Sequence, residues 1–300
     1  MTPFTLAWGA RRLVLGARTR VMGVVNVTPD SFSDGGRFLK TEAAIDQGLR
    51  LLDEGADILD IGGESTRPFS DPVVLDEELR RVLPVIEALA RRDGALISID
   101  TTKAEVARRA LEAGAAIIND VSALRVDPAM GPLAAQYGVP VVLMHMLGTP
   151  KTMQVDPHYE DVVAEVGDFL RQAVDRAVAA GIDASLLMID PGFGFGKTFD
   201  HNLQLLNGLH RLHALGLPLL VGTSRKAFIR HLLKPPGEAD LPADLPLIAA
   251  GTQATVAAAA LKGAHIIRVH DVAETRATLQ IIDAIRNAGG HSRQERQGDP

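Results

Sequence analysis

The sequence predicts a (β/α)8 barrel, the TIM-barrel architecture of the α/β class, preceded by an N-terminal β-hairpin. Three observations carry the prediction. Short apolar runs alternate with segments of helical spacing along the whole 300 residues, as a parallel sheet wrapped by helices requires. The runs are apolar at consecutive positions, the pattern of strands covered on both faces. A unit also recurs: Gly55-Ala56-Asp57-Ile58-Leu59-Asp60 lines up with Gly114-Ala115-Ala116-Ile117-Ile118-Asn119 and with Gly263-Ala264-His265-Ile266-Ile267-Arg268. Each copy is a glycine able to end a helix in the left-handed conformation, a short strand, then a polar residue. A doubly wound open sheet is the alternative, but the only glycine cluster resembling its fingerprint comes late, at residues 192–196.

In chain order, Thr5-Leu6-Ala7-Trp8 and Arg12-Leu13-Val14-Leu15 flank Gly9-Ala10 and predict the hairpin. The first barrel strand is the Val-rich run 21–26, which stops at Asn26 and gives way to turn formers and side-chain oxygens through Gly36. Helical spacing over 42–53 (Ala44, Leu49, Leu52) closes at Gly55. Beside the three repeat strands, strands are expected at 95–100, 139–145, 186–190 and 217–222, and helices at 76–92, 103–113, 160–180, 202–214 and 247–262. The eight strands should end near Asn26, Gly62, Asp100, Asn119, His145, Asp190, Gly222 and Arg268. Connections 64–76, 147–158 and 234–246 are longer than usual and are candidate lids. Residues 1–288 are expected to form one domain, and the polar stretch 289–300 a disordered tail.

Apolar residues at 46% and charged residues at 23% match an ordinary soluble globule. No run of about 18 uninterrupted apolar residues occurs, so no membrane span is expected. The start lacks a basic segment followed by an apolar one, which points away from secretion. Cysteine is absent, removing disulfides, thiolate metal sites and cysteine nucleophiles together. A cytoplasmic protein fits. The net charge of −6 argues against a nucleic-acid surface, so an anionic substrate would have to meet a local cluster of cations.

Such a cluster stands at the strand ends, which converge on one face in this fold. Asp100, Asn119 and Asp190 are acceptors there, with Asn119 also able to donate. Carboxylates in an apolar barrel mouth need donors, and a planar heterocycle with an amino group beside a ring N–H, as in a pterin, supplies a pair. A buried ion network with Lys226 or Arg268 is the alternative. Arg67, Arg225, Lys226, Arg268 and His270 form a cationic set suited to an anion such as phosphate. Ser224-Arg225-Lys226 also opens a helix. Asn26 offers a neutral oxygen, suited to Mg²⁺ shared with substrate phosphates. Two other patterns fail. Gly192 to Thr198 looks like a phosphate loop, but the required first glycine falls on Pro191; these glycines instead allow close backbone approach to a ligand, with Phe195 packed on it. His145 has no partner at zinc-ligand spacing and reads as a hydrogen-bonded rim histidine.

These residues resemble the dihydropteroate synthase family from about Val21 to Ile285. The resemblance rests on Asn26 to Gly36, Gly63-Glu64-Ser65-Thr66-Arg67-Pro68, Ser98-Ile99-Asp100-Thr101, Ile118-Asn119-Asp120-Val121, Met144-His145-Met146, Asp190 to Phe195, Ser224-Arg225-Lys226 and Arg268-Val269-His270-Asp271. It implies joining of 6-hydroxymethyl-7,8-dihydropterin diphosphate to p-aminobenzoate, giving 7,8-dihydropteroate and pyrophosphate, in a Mg²⁺-using, sulfonamide-binding homodimer. It further implies that Asp100, Asn119 and Asp190 bind the pterin and that Lys226 lies between the substrates. Arg268 and His270 match the diphosphate site, and Asn26 the metal-linked position. Thr66, Arg67, Pro68, Phe195 and Ser224 match the surroundings of the aminobenzoate. Asn26, Lys226, Arg268 and His270 are thereby the candidate catalytic groups. The family is thought to react dissociatively, so the main task is to stabilise the leaving group. The sequence departs from the family pattern at Phe69, where glycine is usual; with Pro72 it should stiffen the second loop. Two rivals are disfavoured. A methyltransferase acting from methyltetrahydrofolate has no use for Asn26 or the Arg268/His270 site. A non-catalytic barrel should have lost one of Asn26, Asp190, Lys226 or Arg268.

Overall fold

The structure is a computed structural model that describes residues 1–28, 37–66 and 70–288. The hairpin is β1 (Phe4–Trp8) against β2 (Arg11–Leu15), antiparallel, with Leu6 opposite Leu13. Alternation turns Leu6, Trp8, Leu13 and Leu15 into the core and leaves Thr5, Arg12 and Val14 outside.

Eight parallel strands follow: β3 (Arg20–Asn26), β4 (Ile58–Gly62), β5 (Ile97–Asp100), β6 (Ile117–Asp120), β7 (Val141–Met144), β8 (Leu187–Asp190), β9 (Leu220–Val221) and β10 (Ile266–Val269). They hydrogen-bond in the order β8-β7-β6-β5-β4-β3-β10-β9, and a parallel bridge between Ile189 and Leu219 joins the two outer strands into a barrel. Every strand end lies within one residue of its expected place. The strand expected over 217–222 is only two residues long. Pro218 has no N–H for a ladder, and its carbonyl accepts from Ile189 N at 3.0 Å instead.

Around the barrel lie α1 (Arg37–Asp53), α2 (Leu75–Leu89), α3 (Ala104–Glu112), α4 (Met130–Tyr137), α5 (Val162–Ala179), α6 (Phe199–Asn207), α7 (Ala227–Leu233), α8 (Pro246–Leu261) and α9 (Val272–Ala288). The recurring glycines do what their position requires. Gly55, Gly114 and Gly263 have φ of +97°, +118° and +93°. At each, the glycine N–H bonds back three residues and the next N–H five, as in Ala56 N to Leu51 O at 2.9 Å. This is the Schellman stop, and Gly181 repeats it in a fourth place.

The helix expected over 202–214 starts earlier and is split. Thr198 caps α6 with its hydroxyl on His201 N at 3.1 Å. At Gly208 the chain passes into a 3₁₀ helix, Leu209–Leu215, packed so close to α5 that a Cβ on Gly208 would lie 2.7 Å from Val163 Cγ2. The short α4 and the long α9 are not among the segments whose spacing predicts a helix.

The core fills the barrel and the layer between strands and helices, with β4 to β9 buried at every position. No helix among the described residues is long and apolar enough to cross a membrane. Because the strands are parallel, their carboxyl ends share one rim, and the site is built there.

Candidate active site

The three residues that line up in the recurring unit, Asp60, Asn119 and Arg268, meet inside the barrel mouth. Asp60 Oδ2 accepts from Asn119 Nδ2 at 2.9 Å and from Arg268 Nε at 2.7 Å. Arg268 Nη2 reaches on to Asp100 Oδ2 at 2.9 Å. The acceptor set and the cationic set are therefore one hydrogen-bonded network in the ligand-free protein. Asp60 is completely buried, and among the described residues its Oδ1 has no partner, nor has the buried Ser98 Oγ beside it in register. A buried carboxylate oxygen without a donor is costly and marks a place where a ligand donor would be welcome. Sequence reasoning missed Asp60 because it sits two residues before the strand end. The signal was the repeat itself.

Burial, together with the Asp60 charge, pushes Asp100 up to about 7, with Arg268 pulling against them. Burial also raises Asp190, to about 6, opposed by the Gly192 N–H it accepts at 2.7 Å and by Lys226. Both carboxyls thus titrate close to neutrality, a property concentrated at functional sites.

Lys226 closes the turn after β9 and holds its ammonium 4.2 Å above the Phe195 ring, within the cation–π range. Phe195 packs with Val121, Met144, Met146 and Met153 in an apolar cluster separate from the main core. The glycines around it approach protein rather than open space. A Cβ on Gly192 would lie 1.9 Å from the His145 carbonyl, and one on Gly196 2.4 Å from Leu147 Cβ. Lys197, also overlooked in the sequence, is buried beneath this loop and donates to Gly192 O at 2.9 Å and Phe195 O at 3.1 Å. Its ammonium also lies 2.8 Å from His145 Nδ1. His145 is thus the hydrogen-bonded histidine expected. Burial and the Lys197 charge hold it neutral, down at about 2.

Besides Arg268, already paired with Asp60 and Asp100, two more members of the cationic set are not free cations. His270 is half-buried, and desolvation plus Arg268 and Arg225 lower it to about 3, so it stands neutral with Nδ1 3.0 Å from Ser224 Oγ. Arg225, at φ +58°, pairs with Asp271 through Nε at 3.2 Å and through Nη2. Asn26 ends β3 opposite Gly62 and is half-buried at the rim, and Thr66 is half-buried in the connection after β4. Arg67, Pro68 and Phe69, most of the loop after Thr28, and the tail 289–300 lie outside the described residues.

Comparison with known proteins decides the family. Residues 22–270 match the family described as pterin binding enzyme. The chain belongs to the dihydropteroate synthases of that family. It is 46% identical to the dihydropteroate synthase of Escherichia coli strain K12, over 92% of this chain and 94% of that one. Among solved structures, the Xanthomonas albilineans dihydropteroate synthase with 4-aminobenzoic acid is 50% identical with a TM-score of 0.85, covering 95% of this chain and 99% of that one. A Yersinia pestis dihydropteroate synthase in complex with a sulfonamide drug is 46% identical with a TM-score of 0.86, covering 95% and 100%.

The family resemblance implies a Mg²⁺ ion, and the donors present limit how it could be held. Among the described residues no three His, Asp or Glu side chains gather as a metal-holding group. The single neutral oxygen of Asn26 fits a hard cation that takes its other ligands from substrate phosphates and water.

Proposed function

We infer that the barrel mouth joins 6-hydroxymethyl-7,8-dihydropterin diphosphate to p-aminobenzoate, giving 7,8-dihydropteroate and releasing pyrophosphate, the transferase reaction of this family in folate biosynthesis. The observation that carries the residue roles is the network of Asp60, Asn119, Arg268 and Asp100, with a buried oxygen at its base that no described residue partners.

Asp100, Asn119 and Asp190 bind the pterin, their acceptor atoms taking its ring N–H and amino hydrogens. As the pterin supplies donors to Asp100, Arg268 is released towards the diphosphate, where a bidentate guanidinium suits phosphate oxygens. His270 enters as a neutral hydrogen-bonding group beside Ser224. Mg²⁺, held by Asn26 and the diphosphate, would supply charge neutralisation to the leaving group. The carbon–oxygen bond to pyrophosphate breaks first. The resulting cation is delocalised into the pterin, and the aromatic amine then forms the new carbon–nitrogen bond and loses a proton. Lys226 lies between the two substrates, with Phe195, Ser224, Thr66, Arg67 and Pro68 around the aminobenzoate or a sulfonamide in its place.

The same reading makes the protein a cytoplasmic homodimer with residues 1–288 as one domain. Support for the dimer is the concentration of exposed large apolar side chains on three consecutive helices: Leu232 on α7, Leu247 and Leu261 on α8, and Ile281 and Ile285 on α9. The decisive experiment mixes protein, Mg²⁺, pterin diphosphate and p-aminobenzoate and follows pyrophosphate. Release that depends on both substrates is expected. Release over many turnovers that is unaffected by omitting p-aminobenzoate would sink the assignment.

A further inference from the structure

Beside the rim lies a second, partly buried network that the reaction does not use. Glu78 on α2 is completely buried, and both its oxygens are occupied. Oε1 accepts from Thr101 Oγ1 at 2.6 Å and Oε2 from Lys103 Nζ at 2.6 Å. Lys103 occupies the N-cap position of α3, and its backbone N–H donates to Thr101 Oγ1 at 3.2 Å. The same ammonium reaches Glu64 in the loop after β4. Glu64 Oε2 in turn accepts from Val73 N, at 3.1 Å, on the returning limb of that loop. A neighbouring α2 side chain, Arg81, donates to the Gly63 carbonyl at 2.7 Å.

One ammonium therefore joins three pieces of chain: the residues just after Asp100, the helix α2, and both limbs of the loop that carries Thr66. A carboxylate as buried as Glu78 needs a fixed counter-charge, so Lys103 is held in one place. Glu64 inherits that position, and with it the opening of the loop.

We propose that Lys103 is a positioning residue for the reaction: through Glu64 and Glu78 it sets the loop after β4 against the pterin-side strand β5, and so governs capture of p-aminobenzoate without touching either substrate. This rests on the reading that Thr66 faces the aminobenzoate.

The test is steady-state kinetics on Lys103→Met, Lys103→Arg and Glu64→Gln, with each substrate varied at saturation of the other. In Lys103→Met, the KM for p-aminobenzoate should rise about tenfold while that for the pterin diphosphate stays within about twofold, the effect of a small misplacement far from the chemistry. Lys103→Arg should recover most of the loss, because a second cation can span the two carboxylates. Glu64→Gln should show a smaller rise, since its amide oxygen still accepts. A merely stabilising ion pair would lower Tm and the active fraction and leave both KM values alone, and that result overturns the proposal. If Lys103→Met fails to fold, Glu64→Ala carries the same comparison, because it breaks the link while leaving Glu78 its partner. Thr66→Val separates the two readings. No change in p-aminobenzoate KM there means the loop is not part of the aminobenzoate site. A rise there, with none in Lys103→Met, refutes only the role of Lys103.

Discussion

Asp100 and Asp190 show how far a barrel mouth can move a carboxyl group. Burial drives both upward, to about 7 and about 6, and neither Arg268 nor the Gly192 N–H brings them back to the ordinary range. A pterin that donates N–H groups to them binds the ionised forms and releases protons on binding. Its affinity should therefore fall as pH drops through 7 and then 6, by up to about tenfold per unit for each group that must be ionised. Calorimetry across that range checks it; a flat profile would mean that the carboxyls bind in their neutral forms. Asp190→Asn replaces a double acceptor by a group with one acceptor and one donor, leaving a ligand N–H facing a donor. The loss of a charge-assisted bond and the unpaired group should weaken pterin binding by about 2–4 kcal/mol. The same variant should lose the lower of the two pH steps, and near-parent affinity would assign Asp190 to holding the Gly192 turn alone.

The segment Gly192 to Gly196 is held from below by Lys197 and from the side by His145 and Leu147, so its glycines are needed for packing between protein segments. This differs from the expected approach to a ligand, although Phe195, between them, does face the mouth cluster. Gly192 and Gly216 separate backbone conformation from contact. Their φ values are nearly equal, +67° and +68°, but a Cβ at Gly216 meets nothing within 4 Å, whereas one at Gly192 overlaps the His145 carbonyl. Gly216→Ala should thus cost only the left-handed penalty, about 1–2 kcal/mol. Gly192→Ala must also move the loop. It should lower Tm further and reduce pterin affinity, because Asp190 Oδ1 is tied to Gly192 N. Equal Tm losses in the two variants would contradict this account.

For the whole molecule, the end of the barrel opposite the site is tied together by Asp57. Its carboxylate accepts from Arg18 Nη1, Arg20 Nη1 and Val21 N, each at 2.9 Å. It thereby joins the segment after the hairpin to the start of β4. Burial alone would raise its pKa, but the bonds from Arg18 and Val21 outweigh burial and hold it below the usual carboxylate range. The unfolded chain therefore binds a proton more readily than the native one, so this contribution is present above 3.8 and is lost as pH falls through the depressed native value. Asp57→Asn should lower stability by about 1–2 kcal/mol at neutral pH, with Arg18 partly exposed and screened. The difference from the parent should shrink below pH 3.8. A gap in Tm that persists unchanged into acid would show that packing, rather than charge, carries the effect.

The barrel, its eight strand ends and three of its helix stops were legible in the amino-acid order. Each rests on local chemistry: consecutive apolar residues need two covered faces, and a glycine after a helix relieves the left-handed strain there. It also determined which side chains stand at the rim, because parallel strands bring all their carboxyl ends to one face. It did not reveal partners. Asp60, Asn119 and Arg268 carry the same place in the repeat, yet that they bond to one another depends on strands 59 and 208 residues apart coming together. Nor did it show that His270 is neutral or that Arg225 is taken by Asp271, since charge state and pairing depend on burial and on neighbours distant in the chain. The split of α6 at Gly208 and the two-residue β9 belong to the same class, the one set by contact with α5 and the other by the closure of the barrel. Local pattern decides the element and the end it points to; only packing decides what each polar atom meets there.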